Sequence, residues 1–204
     1  MPRARKVSKG ELSRAKLLEA AARVFVRKGF GQTTIRDIAT EAGVALGALY
    51  FHFPSKDEFA TAVFEQAIRA IWDHVEQDVA ALPPGTDART RIEAALLSHV
   101  LATVDHGDYA AAIRFARDSL APKAVQRRYR QNVDRYRQFW QAMIEQGQRD
   151  GSIRSDLSAG KVLFFLFGAV NWLSEWHDPQ RSPVESMVGD FATMLFEGIR
   201  PAKQ

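Results

Sequence analysis

The stretch from Thr33 to Phe53, TTIRDIATEAGVALGALYFHF, decides the fold. Two short helical runs meet in it at a glycine. Thr33 and Thr34 can cap the first, which carries Ile35, Ile38 and Ala39 and halts at Gly43. The second runs from Ala45 to about Phe51, and Pro54 closes it. Each residue type has a steric reason. Ala39 is small where the second helix must cross, and Gly43 permits the positive φ of a tight turn. Ile38, Val44 and Leu49 fill the wedge between the helices. The spacing predicts a helix-turn-helix, a unit that offers its second helix to the DNA major groove. Other helical hairpins share these steric needs, so the spacing alone leaves DNA binding undecided.

Outward from this core the chain reads as helix nearly throughout. Before it, Leu17, Leu18, Ala21, Ala22 and Phe25 recur at helical spacing and stop at Lys28-Gly29. After it, Ser55-Lys-Asp-Glu58 has the form of a capping box. It opens a stripe of Phe59, Val63, Ala67, Ile71, Val75 and Val79 that ends at Pro83-Pro84-Gly85. Residues 86–105 and 108–118 carry weaker helical patterns. Pro122 suits the first position of a long helix reaching about Asp150, which Gly151 closes. Residues 159–177 are apolar almost all round. Ser182-Pro-Val-Glu185 then joins a cap, a first-position proline and a capping-box glutamate ahead of a last helix. The expectation is an all-α chain of about nine helices.

Composition narrows the function classes. Of 204 residues 46% are hydrophobic and 25% charged, which suits a folded globular chain and excludes wholesale disorder. There is no cysteine, so a disulfide scaffold, a Cys-ligated metal and a thiol nucleophile are excluded. The longest uncharged apolar run, Val162 to Ser174, has 13 residues, short of the roughly 20 a membrane span needs. The basic start lacks the apolar segment of a secretory signal. These features predict a soluble cytoplasmic protein with no membrane partner. The net charge of +4 is uneven: residues 1–60 hold 11 Lys/Arg against 6 acids, and the rest is nearly neutral. A basic end on a neutral body fits a nucleic-acid-binding module joined to something else, although a solvated basic tail has the same composition.

The run Gly43-Val-Ala-Leu-Gly-Ala-Leu-Tyr50-Phe-His52-Phe-Pro-Ser-Lys56-Asp-Glu-Phe59 resembles the DNA-binding domain of the TetR family of transcriptional regulators. There a G-V-S-x-G-x-L-Y-x-H-F-x-x-K signature follows T-x-x-x-I-A. The likeness covers about residues 12–59. It implies an N-terminal arm and helix-turn-helix domain over 1–54, then a connecting helix with a ligand-binding and dimerisation domain over 55–204. It also implies a homodimer on a palindromic double-stranded operator, acting as a repressor, with no cofactor. Ala45 departs from the family, which often has Ser or Thr there, so a capping or phosphate-binding hydroxyl is missing.

Carried over residue by residue, the resemblance makes Thr33 or Thr34, Tyr50, His52 and Lys56 contacts to the DNA backbone. All four types can donate to phosphate oxygens. Otherwise Tyr50 reads as a packed aromatic and His52 as a surface histidine. The second helix has no Arg, Lys, Asn or Gln. Ala45, Leu46, Ala48 and Phe51 can offer only apolar contact, suited to thymine methyls, and Gly47 allows close backbone approach. Hydrogen-bonded readout must come from elsewhere. Arg36 is the candidate, since some family members read guanine from this position; its bland alternative is a surface pair with Asp37 or Glu41.

The final two helices fit the family's dimer bundle, with Phe164, Val188, Phe191 and Leu195 as interface residues. A helix apolar on every side needs cover on both faces, and the monomer's own core is the alternative cover. Phe115, Phe139, Phe165, Trp172 and Trp176 are candidate walls of a site for a small hydrophobic effector. The segment Gly168–Trp176 followed by Asp178-Pro179 is similar to TetR members that control lipid or sterol catabolism, some of which bind acyl-CoA thioesters. Arg128 and Arg135, seven apart on one helix face, could then hold CoA phosphates; a solvated basic face is the alternative. An enzyme acting on an apolar or CoA-linked substrate is the rival reading. No catalytic residue is nominated, because H-E-x-x-H, G-x-S-x-G, Walker and dinucleotide patterns are all absent. Asp105-His106-Gly107-Asp108 reads as loop punctuation rather than a metal site.

Overall fold

The computed structural model describes residues 9–108, 123–176, 178 and 180–198, with side chains from Arg14 onward and, in the helix ending at Trp176, as far as Leu173. Among them are eight helices and no strand: α1 Lys9–Gln32, α2 Ile35–Ala42, α3 Leu46–His52, α4 Lys56–Ala80, α5 Ala88–Asp105, α6 Lys123–Asp150, α7 Ala159–Trp176 and α8 Val184–Glu197. The all-α reading holds. The helix expected over 108–118, its Phe115 and Pro122 lie outside the described residues. The chain forms two compact units, residues 1–69 with 106–132, and residues 70–105 with 133–204.

In the first unit α1 packs on α2, and α2 meets α3 at Gly43. The core gathers Leu18, Phe25, Ile38, Leu49, Phe53, Phe59 and Phe64. Phe53 and Phe59 bring their ring centres to 4.0 Å across the turn into α4. Three local details differ from the sequence reading. The first helix does not end at Gly29. That residue takes φ 75° and ψ 157°, kinks the helix, and a last turn continues to Gln32. Thr34 alone caps α2, in a full capping box with Asp37, while the Thr33 hydroxyl donates to the Gly29 carbonyl at 2.7 Å. At Ser55 the hydroxyl accepts from the Glu58 amide at 3.2 Å, one half of the expected box.

In the second unit α5 packs on α7 and α8. Gly147 is required there, since a Cβ would come within 2.6 Å of Ile153 and 2.8 Å of Ala88. Gly151, at φ 82°, ends α6 as expected. The cap at α8 is a correction: Pro183 itself occupies the N-cap position with φ −60° and ψ 147°, and no side-chain cap forms. With proline in the cap, helical geometry starts one residue later, and Ser182 sits too early to serve. No helix among the described residues is long and apolar enough to cross a membrane.

Candidate nucleic-acid interface and an interior polar cluster

The surface of α2 is arranged by α1. Arg23 Nε and Arg27 Nη2 both donate to the Glu41 carboxylate, at 3.0 and 2.9 Å. Lys28 Nζ reaches Asp37 Oδ1 at 2.7 Å, and Asp37 Oδ2 also accepts from the Thr34 amide at 2.9 Å. Lys28 first, then Thr34, hold the Asp37 carboxyl far below the usual carboxylate range. Arg23 and Arg27 depress Glu41 in the same way. The two acids that might have neutralised Arg36 are therefore both engaged by α1. Arg36 is exposed and has no ion pair among the described residues.

The recognition helix α3 presents a face almost without side chains. Ala45, Gly47 and Ala48 are exposed, and a Cβ built on Gly47 meets nothing within 4 Å. Packing does not require this glycine, and its helical backbone does not either. Ala45 occupies the N-cap with no side-chain bond, as its missing hydroxyl implies. Leu46 is turned half inward onto the core rather than outward. Tyr50 is 50% exposed and Phe51 86% exposed, so Tyr50 is not a core aromatic. An aromatic as open as Phe51 in the last turn of a short helix is unusual. His52 is half-buried, edge-on to Phe51 with ring centres 5.3 Å apart.

Two expected phosphate donors are engaged inside the fold. Thr33 is only 2% exposed, which leaves Thr34 as the accessible threonine. Lys56 donates to the Gly31 carbonyl at 3.2 Å and lies 4.3 Å from the centre of the Phe30 ring. Partial burial lowers its pKa. This lysine ties the start of α4 to the end of α1, a role that sequence reading missed because the partner lies 25 residues away.

The second unit holds a polar cluster in an aromatic interior. His99 on α5 is buried, with Nδ1 2.9 Å from the Tyr136 hydroxyl on α6. Trp140 stands edge-on to both rings, and Phe167 lies 5.4–5.9 Å from all three. Trp72 and Phe139 extend the cluster around Tyr136. Burial pushes His99 down to about 4, against the opposing pull of a hydrogen bond to Asn171. Burial likewise raises the Tyr136 phenol, while the nearby Trp140 N–H opposes this. Sequence reading counted Tyr136, Phe139 and Trp140 among the aromatics of this region and chose Phe139 for the ligand, but gave His99 no part.

A pH dependence follows from His99. Its folded pKa lies below the unfolded value near 6.5, so the unfolded chain takes the proton first. Stability is full above about pH 6.5 and falls as pH drops toward 4. Unfolding in urea should show about 2 kcal/mol less stability at pH 5 than at pH 7, and His99→Gln should lose that difference. The depressed carboxylates act only below about pH 4.5 and leave this window clean. A parent without the slope would contradict the buried neutral imidazole.

The remaining candidates divide between surface and core. Phe164 and Phe165 are 68% and 67% exposed, and Trp172 is 49% exposed. With Gly168 they form one open stripe along α7. Val188 is buried in the chain's own core at 4%, while Phe191 and Leu195 are half-buried. Arg128 holds Glu65 at 2.6 Å, and Arg135 is exposed without an ion pair among the described residues. The side chain of Trp176 lies outside the described residues.

A family model described as bacterial regulatory proteins, tetR family, matches residues 17–63, and one described as tetracyclin repressor-like, C-terminal domain, matches residues 85–199. The HTH-type transcriptional repressor KstR2 of Rhodococcus jostii is 28% identical over 190 residues, covering 91% of this chain and 90% of its own. Two solved structures share the fold. FadR of Bacillus subtilis, in complex with stearoyl-CoA, has a TM-score of 0.76 at 18% identity, over 91% of this chain and 99% of that one. AibR, in complex with isovaleryl coenzyme A and operator DNA, has a TM-score of 0.75 at 19% identity, over 90% and 98%.

Proposed function

The chain belongs to the TetR family of bacterial regulatory proteins, and from that premise we propose that it is a homodimeric repressor whose operator binding is released by an apolar acyl-CoA thioester. The carrying observation is the division of charge on α2. Arg23, Arg27 and Lys28 take its two carboxylates, so Arg36 is left exposed and without an ion pair among the described residues, while α3 presents a side-chain-poor face. A free guanidinium can bond guanine O6 and N7 together. Ala45, Gly47 and Ala48 let the backbone of α3 approach the base edges, and Tyr50 and Phe51 offer apolar or hydroxyl contact at its far end. Thr34, Tyr50 and His52 are assigned to phosphates. Residues 1–54 form the DNA module in this reading.

The homodimer places the open stripe of α7 against a second copy, since a two-fold pair is what two half-sites one turn apart require. The effector class rests on the two proteins of like fold that hold acyl-CoA thioesters. Arg135 is the stronger phosphate candidate in α6, because Arg128 already has Glu65. The relatives described above are regulators, which favours this reading over an enzyme using the same apolar substrate.

The test is titration of operator and scrambled duplexes at several salt concentrations. Arg36→Ala should lose about 1–3 kcal/mol on the operator and little on scrambled DNA. Lys56→Ala should weaken both duplexes alike, because it loosens the anchorage of α1 to α4. Equal, sequence-blind losses from the two variants would overturn the assignment of base readout to Arg36.

A further inference from the structure

The last turn of α3 carries a ring that the first unit leaves outside its own core. Phe51 is 86% exposed, although Leu49 before it and Phe53 after it are buried. Helical spacing sets Phe51 on the face of Gly47 and Ala48, one turn further along. A ring on a helix ordinarily leans back over the preceding turn, here toward Gly47. A Cβ built on Gly47 nevertheless meets nothing within 4 Å, so the Phe51 ring stands away from that backbone. A chain of rings supports it. His52 meets it edge-on at 5.3 Å and lies 6.4 Å from Phe53, which packs at 4.0 Å on Phe59 in the core. The result is an apolar wall beside a floor of glycine and alanine. We propose that Phe51 is a specificity-determining residue that reads the 5-methyl group of one thymine in each operator half-site. This deepens the reading above, on which it rests, by naming the base-edge group that α3 recognises.

The major groove displays one apolar group, the thymine methyl, among hydrogen-bond donors and acceptors. The exposed face of α3 formed by Ala45, Gly47, Ala48 and Phe51 has no side-chain donor or acceptor to answer the polar edges. A phenyl ring pressed on guanine O6 or on the cytosine amine strips water from a polar group and returns no hydrogen bond. On a methyl the same ring removes apolar surface from water on both partners. Discrimination therefore has two sources, the gain at thymine and the penalty at the other bases. The bare floor adds to this, because it lets the helix come close enough for the ring to reach the base edge. Tyr50, 50% exposed and carrying a hydroxyl, suits a phosphate instead. Arg36 needs the paired acceptors of guanine, so the two residues read different base pairs.

The probe is a duplex that the full chain selects from a random library, remade with deoxyuridine for thymidine at one matching pair of half-site positions at a time. Fluorescence anisotropy should find a pair at which loss of the methyls weakens binding about 15-fold, roughly 4-fold for each. Phe51→Ala should bind the thymine and uracil duplexes alike at that pair, while Tyr50→Phe keeps the parental ratio. With 5-methylcytosine at the same pair the parent should bind tighter than with plain cytosine, and Phe51→Ala should not distinguish them. Phe51 is exposed, so the variant should keep the parental melting temperature and its affinity for a scrambled duplex. A selected site without thymine at matching positions, the absence of any uracil-sensitive pair, or a loss that persists in Phe51→Ala overturns this assignment alone. If the full chain selects no sequence, the DNA-binding reading falls and the assignment falls with it.

Discussion

Phe164→Glu is expected to convert the dimer into a folded monomer that no longer holds its operator. The side chain is 68% exposed in the single chain, so a charge there meets water and leaves the fold intact. Against a second copy the same position closes. A two-fold interface carries the substitution twice, and each unpaired buried carboxylate costs several kcal/mol. A monomer reaches one half-site only, so operator affinity should fall by about 100-fold or more. Val188→Glu would be a poor substitute, because Val188 is 4% exposed and its loss would unfold the second unit. Light scattering and a thermal melt on one sample, followed by operator titration, give the answer. A dimer with parental operator affinity would move the interface away from α7.

Gly47→Leu should separate folding from binding in the first unit. A side chain added at this position meets nothing of the chain itself within 4 Å, and the backbone there is helical. Gly47 is the second residue of α3, where an L side chain is unstrained, so the melting temperature should hold. If α3 lies in the groove, the leucine fills the space through which backbone and base edges approach. Contacts worth about 3 kcal/mol are then displaced, a loss of roughly 100-fold on the operator. Gly47→Ala, with a single methyl, should lose much less. Parental operator affinity in the leucine variant would mean that this face of α3 does not meet DNA.

The turn between α2 and α3 was legible because its causes are local. Gly43 takes φ 67°, the left-handed value that its place in the sequence predicted, and Leu49 and Ile38 fill the wedge as expected, whereas Val44, expected with them, stays 36% exposed. Periodicity also located the long helices, since a stripe three or four residues apart needs no distant partner to be recognised. Where it failed, one residue settled the local geometry, as at Gly29 and Pro183.

Which polar groups remain available for binding was decided elsewhere. Among the described residues Arg36 keeps no ion pair because Glu41 and Asp37 meet cations from 9 to 18 residues upstream. Thr33 turns inward and Lys56 turns back to Gly31, although their types suited them equally to phosphate. His99 and Tyr136 meet across 37 residues, and neither carries a local signal of burial. Along α7 the apolar pattern required cover on all sides, but the packing against α5 leaves one stripe, Phe164 to Trp172, open. Backbone form follows from short-range sterics and capping, which sequence records directly. The hydrogen bonds left unmade after packing are a remainder, fixed only when every distant donor has found its acceptor.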